Sequence, residues 1–168
     1  MAKPPRHRFP RASYKSHICV CKVPSPSSLI TDPETSDRLG RIPQRDTKPE
    51  LRVRRLLHAL GHHFRVRNRD LPGSPDVANR ARRWAVFVHG CFWHSHQDCP
   101  RATVPKRNRG FWEAKFAANR TRDSRAVATL ESKGWIVETV WECETISGNA
   151  LRQLASRLLR RLPPASDR

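Results

Sequence analysis

The chain has 168 residues, with 33 Lys plus Arg against 15 Asp plus Glu, for a formal charge of +18. A single domain is the expectation at this length, and the longest uninterrupted apolar run, Trp84 to Val88, is far too short for a membrane-spanning helix. Hydrophobic residues at 37%, with five Trp and six Phe, exclude collagen-like and uniformly disordered chains.

The charge is spread unevenly. Residues 1–30 hold six bases, no acid and five prolines, without a sustained period of 3.6 or 2, and read as a basic, Pro-rich, disordered tail. Residues 31–48 sum to zero, so the remaining +12 lies in 49–168. A folded part that is itself basic favours a polyanion as partner, nucleic acid first, held through salt-sensitive phosphate contacts. The N-terminal bases are not followed by an apolar core and a small-residue cleavage site, which predicts a cytoplasmic protein with no membrane partner. In a reducing compartment an odd set of five Cys, some clustered with His, points to metal before disulfide. Cys19 and Cys21 have no second pair nearby and read as incidental thiols.

The first element opens at Thr47-Lys-Pro-Glu50. Thr47 as N-cap and Glu50 three residues on form a capping box, and Pro49 suits a first turn. Leu51, Val53, Leu56, Leu57 and Leu60 then recur at helical spacing before Gly61, which predicts a helix over about 48–60. Phe64-Arg-Val-Arg67 alternates like a half-exposed strand, and Leu71-Pro-Gly-Ser-Pro75 is a turn. Asp76-Val-Ala78 begins a second strand, Asn79 to Arg82 turns, and Trp84 to Val88 reads as a central buried strand. A polar loop follows to Asn108. Trp112, Phe116, Val127 and Leu130 predict a long amphipathic helix over 111–130 that ends at Gly134. Trp135 to Trp141 is a further buried strand, and Asn149 to Leu162 a closing helix. The order αβββαβα predicts a mixed α/β sandwich with one domain over 31–162 and a short tail over 163–168.

The densest chemistry lies in His89-Gly-Cys-Phe-Trp-His-Ser-His-Gln-Asp-Cys99, directly after the central strand. Cys91, Cys99, one of His94 or His96, and the distant Cys143 would complete a tetrahedral Cys₃His zinc set, structural because all four ligands come from protein. Asp76 begins one strand and His89 ends its hairpin partner, so their side chains could meet at one sheet edge. A hard oxygen beside His suggests Mg²⁺, which stabilises charge on a phosphate and polarises water.

Arg45-Asp-Thr-Lys-Pro-Glu50, Leu71-Pro-Gly-Ser-Pro-Asp76, Phe87-Val-His-Gly-Cys-Phe-Trp-His94, Phe111-Trp112 and Val140-Trp-Glu-Cys143 together resemble the very-short-patch repair (Vsr) DNA mismatch endonuclease family. The likeness runs from about 34 to 146. It implies a strand-nicking DNA repair enzyme of the restriction-endonuclease-like, PD-(D/E)XK-type fold, which cuts beside the T of a T:G mismatch left by deamination of 5-methylcytosine. By the same resemblance, Asp76 and the Val88 backbone carbonyl hold Mg²⁺, His94 is the general base, His89 works at the cleaved phosphate, Asp123 supports this last histidine, and Glu50 assists through water. The zinc ligands carry over as Cys91, His96, Cys99 and Cys143, with Gln97-Asp98 giving two intervening residues where the family pattern has one. Phe92, Trp93 and Trp112 match aromatics that enter the base stack, and Leu39 and Ile42 match a minor-groove wedge.

The resemblance further implies a monomer acting on mismatched double-stranded DNA, associated with the nucleoid when bound, with mismatch-repair proteins as possible partners. Two other classes share some of these features: a zinc-stabilised nucleic-acid-binding module without catalysis, and a duplex restriction endonuclease of the same fold. Asp76 with His89 and His94 weighs against the first. The aromatic wedge weighs against the second, since adjacent Phe92 and Trp93 do not easily face one core together.

Overall fold

The structure, a computed structural model, describes residues 45–165 together with Asp37, Gly40, Arg41 and Pro43. The expectations for residues 1–30, for Cys19 and Cys21, and for Leu39 and Ile42 lie outside the described residues.

The described elements run α1 (Lys48–Ala59), β1 (Arg65–Val66), β2 (Val77–Asn79), β3 (Trp84–His89), α2 (Arg109–Glu131), β4 (Ile136–Trp141), a 3₁₀ turn (Glu142–Thr145) and α3 (Gly148–Arg161). The strands form one mixed sheet in the order β1-β2-β3-β4, antiparallel except for the parallel pair β3 and β4. A parallel neighbour requires a long crossover, and α2 supplies it.

Side chains on β3 alternate between two cores. Trp84 and Val86 pack with Val53, Leu57, Leu154 and Leu158 from α1 and α3. Ala85 and Phe87 face the other way, onto Ala126 and Leu130 of α2. The sheet therefore lies between α1 and α3 on one side and α2 on the other. The unbroken apolar run of β3 follows from burial on both faces.

Three expectations change on inspection. Thr47 is the N-cap of α1, but its side chain accepts no hydrogen bond from the helix. Its hydroxyl instead donates to Glu50 Oε1 at 2.7 Å, and Glu50 Oε2 accepts from the Asp46 N–H at 3.0 Å, one residue further back than a capping box. Asp46 has φ 53°, a left-handed conformation that Asp tolerates and that turns its N–H toward the carboxylate. The expected half-exposed strand at 64–67 is reduced to Arg65 and Val66, both exposed, on a sheet edge. The third change is in α2, which carries no continuous apolar stripe. Its buried residues are Phe116, Ala126 and Leu130, and the stretch between the first two bears Arg120, Arg122, Asp123 and Arg125. That middle section borders a polar cleft and not a core.

Two glycines are needed where they stand. Gly73, at φ +72°, lies so close to α2 that a Cβ would come within 2.5 Å of Ala126 Cβ. Gly134, at φ +76°, closes α2, with its N–H on Glu131 O and the Trp135 N–H on Leu130 O. Among the described residues no helix is long and apolar enough to cross a membrane.

Candidate active site and metal centre

The register brings the chemistry to one end of the sheet. Asp76 precedes β2, His89 ends β3, and Trp141, paired with His89, ends β4 just before Cys143. Three groups of side chains gather there.

The first surrounds Asp76. Its Oδ2 accepts a hydrogen bond from the Val88 N–H at 2.7 Å. Burial pushes its carboxyl up to about 6, helped by the Glu50 charge and opposed by the Val88 N–H and Arg54. Arg54 donates to Glu50 Oε2 at 3.1 Å and also pairs with Asp46. Buried Asn68 supports the turn, donating from Nδ2 to Pro75 O at 3.1 Å and to Arg65 O at 2.9 Å.

The second group is His89, His94 and Asp123. The two imidazoles stack with centroids 3.9 Å apart and planes within 5°. His94 Nδ1 lies 2.5 Å from Asp123 Oδ2 on α2, while Arg122 reaches the other oxygen at 3.2 Å. Burial, then the neighbouring His94, holds the His89 imidazole down to about 4, with Asp123 pulling the other way. Asp76 thus meets the backbone of Val88, not the ring of His89. Consecutive strand residues face opposite sides, so His89 turns toward α2, next to Phe87 at 6.1 Å between centroids.

The third group is Cys91, His96, Cys99 and Cys143, whose ligand atoms all lie within 4.8 Å of one another. His96 Nδ1 is 3.6 Å from Cys91 Sγ and 3.5 Å from Cys143 Sγ. Of the two candidate histidines, His96 joins the sulfurs and His94 joins Asp123, so the acid expected to support His89 bonds to His94 instead. Tight turns after β3 make this division, with His94 N–H on Gly90 O and His96 N–H on Cys91 O. Asp98, directly before Cys99, has φ 55°, a left-handed conformation that Asp tolerates. Burial pushes the Cys91 thiol up to about 12 and raises that of Cys143 as well.

The same turns send Phe92 and Trp93 into one aromatic cluster, although adjacent residues are expected not to face one core easily. Phe92 lies 5.1 Å from Trp93, 5.3 Å from Trp112 and 5.4 Å from buried Phe116, ring centre to ring centre. Helical winding over 90–95, unlike a strand, lets neighbours lean the same way. Lys115 Nζ sits over Trp112, Trp93 and Phe111 at 5.2, 5.4 and 5.6 Å. Sequence reasoning missed Lys115 and Phe116 here. It also missed Trp141 as a site residue, although period-two alternation from Val137 puts Trp141 on the face of β4 that looks toward α2.

A mixed α/β core carries acid, imidazole and thiol groups at one sheet end, and comparison with known proteins gives the class. The family model described as DNA mismatch endonuclease Vsr matches residues 29–101. Type II nicking enzyme V.XorIIP of Xanthomonas oryzae pv. oryzae is 43% identical over 121 residues, covering 72% of this chain and 88% of the relative. Type II nicking enzyme V.NmeAIP of Neisseria meningitidis serogroup A is 34% identical over 139 residues, 83% of this chain and 99% of the relative. The DNA mismatch endonuclease Vsr of Escherichia coli K12 is 42% identical over 108 residues, 64% of this chain and 69% of the relative. The chain belongs to the Vsr family, and it is a DNA-nicking endonuclease.

Proposed function

We propose that this enzyme nicks one strand of duplex DNA beside the T of a T:G mismatch, using Mg²⁺ for the chemistry and Zn²⁺ for the fold. The observation that carries the reading is the His94–Asp123 pair stacked on His89, one strand position from the Val88 N–H that Asp76 accepts. The donor set around Asp76 suits a hard cation. Its carboxylate is mostly buried, and in a strand the C=O of a residue points to the same edge as its N–H, so the Val88 carbonyl heads toward Asp76. Held by Asp76 and that carbonyl, Mg²⁺ would neutralise phosphate charge and acidify a water.

The remaining work falls to the protein's own groups. Asp123 occupies His94 Nδ1, which leaves Nε2 to take a proton from the attacking water. His89, with its imidazole near 4, stays neutral at physiological pH and can hydrogen-bond at the cleaved phosphate without repelling His94. Glu50 faces the Asp76 cleft, but Asp46, Thr47 and Arg54 already use its oxygens, so it acts through water. Water adds to phosphorus and one P–O bond of the strand breaks, with the proton held by His94 available to the leaving oxygen.

The Cys/His cluster suits Zn²⁺ on distance. Tetrahedral bonds of about 2.3 Å to sulfur and about 2.0 Å to nitrogen put N and S about 3.5 Å apart, and the observed separations are 3.5 and 3.6 Å. A bound cation also provides what the buried Cys91 thiol, pushed up to about 12, lacks: a counter-charge for ionisation. Zinc there would tie the 91–99 loop to the segment after β4.

Phe92, Trp93 and Trp112 supply recognition. Opening the aromatic cluster into a base stack costs least at a weakened wobble pair, so the step itself favours a mismatch. A sandwich of this kind with a nicking site agrees with the restriction-endonuclease-like fold. A T:G duplex labelled differently on its two strands tests the reading. Cutting in the T strand alone, dependent on Mg²⁺, is expected, and binding without any cut would favour the silent zinc module.

A further inference from the structure

We infer that Trp141 is a positioning residue that couples the Cys/His cluster to the histidine pair. Four rings form an unbroken series. His94 stacks on His89 at 3.9 Å, His89 meets Trp141 edge to face at 5.4 Å, and Trp141 stacks on His96 at 4.0 Å with planes 7° apart. One end of the series is fixed by Asp123 on His94 Nδ1, and the other by Cys91 and Cys143 beside His96 Nδ1. The indole is the only ring in the series that touches both the cluster's histidine and the pair.

Core packing does not explain this placement. Trp141 is half-buried and belongs to neither hydrophobic cluster among the described residues, and two imidazoles lie against it. Its backbone is anchored separately. The Trp141 N–H donates to Glu144 Oε2 at 2.8 Å, and Arg157 on α3 grips Glu144 at 2.5 and 3.2 Å while donating to Thr139 O at 3.2 Å. The parallel register holds Trp141 opposite His89. A flat, rigid ring clamped in this way limits how far the His89 ring can turn, and through it the His94 ring. The cluster thereby gains a part in the reaction beyond holding a loop. Its histidine supports the indole, and the indole sets the imidazole planes.

This inference rests on the assignment of His89 and His94 to the chemistry, so its test carries a control for that assignment. Full-length Trp141→Leu and Trp141→Phe are compared with wild type for zinc per chain, affinity for a T:G duplex without added Mg²⁺, and single-turnover nicking at saturating DNA. In Trp141→Leu, zinc content and affinity should stay within about twofold of wild type, because the ligands and phosphate contacts remain. Its nicking rate should fall roughly 10- to 100-fold, as expected for slight misplacement of reacting groups. Trp141→Phe, which keeps a flat ring, should recover most of that loss. A Leu variant that nicks at the wild-type rate, or that loses rate only in proportion to lost zinc, overturns the coupling.

Should the Leu variant not fold, NMR of the wild-type histidine side chains still decides. Ring protons of His96, stacked on the indole at 4.0 Å, are expected well upfield of random-coil positions, and unshifted signals overturn the proposal. Asp76→Asn separates the two layers. If it nicks normally, the reading of the site fails. If it is inactive while Trp141→Leu is unimpaired, only the coupling fails.

Discussion

His94 and Asp123 lie 29 positions apart in sequence, on the loop after β3 and on α2, yet His94 Nδ1 and Asp123 Oδ2 are 2.5 Å apart. The bond fixes which imidazole nitrogen remains free and holds the plane of the ring. Asp123→Asn keeps a partner for Nδ1 but removes the charge. Its nicking rate at saturating DNA should fall about 10- to 100-fold, as for loss of a partner that orients a working histidine, with duplex affinity unchanged. Wild-type turnover would remove Asp123 from the chemistry.

Asp76→Asn should abolish nicking while mobility-shift binding survives, because phosphate contacts do not depend on this carboxylate. The same change should stabilise the protein in the absence of Mg²⁺. The folded carboxyl, raised from 3.8 to about 6, holds its proton more firmly than the unfolded chain does. Stability therefore falls as pH rises from about 4 to 6, and at pH 7 the whole loss, about 2 to 3 kcal/mol, is present. Urea titrations of both proteins at pH 7 give the difference directly.

Removing zinc should unfold the 91–99 loop and lower the melting temperature, since scattered ligands have no other reason to meet. Elemental analysis should give about one zinc per chain. A metal-free protein that melts like the purified one contradicts the structural role.

His62 gives the opposite pH dependence from Asp76. It is buried edge-on against Trp84 at 5.5 Å, and burial, then Arg82, lowers its imidazole below the usual 6.5. The unfolded chain takes up a proton as pH falls through 6.5 while the native state resists, so this contribution is present above 6.5 and is lost on acidification. His62→Phe keeps a ring against Trp84 and should lessen the loss of stability between pH 6.5 and 5. An unchanged acid limb would assign that loss to other groups.

Much of the fold was legible because burial imposes a period. The apolar run of β3, the Gly134 stop and the leucines of α3 each reported their environment directly. Less legible were features set by turns and by tertiary contact. Glu50 reaches back to Asp46 because of one left-handed residue, and Phe92 and Trp93 share a cluster because the chain winds after Gly90. The middle of α2 is polar because it borders a cleft. At the site, residue types announced the groups, but spacing alone left His94 and His96 open, and only the turns separate them. Trp141 was hidden for a different reason: an aromatic at the end of a buried strand looks like core until its neighbours are known.

The aromatic cluster leads to a prediction about selectivity. Trp93→Ala removes a ring from the cluster but leaves Asp76, His89 and His94 in place. Nicking of T:G duplexes should drop sharply, while affinity for matched DNA, which rests on phosphates, changes little. Full retention of the T:G preference would make these aromatics packing residues.

The most direct measurement is the ratio of single-turnover nicking rates on a T:G duplex and on the otherwise identical T:A duplex, with Mg²⁺ and at one fixed salt concentration. A mismatch endonuclease should cut the T strand of the T:G duplex at least about 100-fold faster, a difference of roughly 2.7 kcal/mol in barrier. Equal rates on the two duplexes would contradict mismatch recognition and leave a nicking enzyme that reads sequence alone.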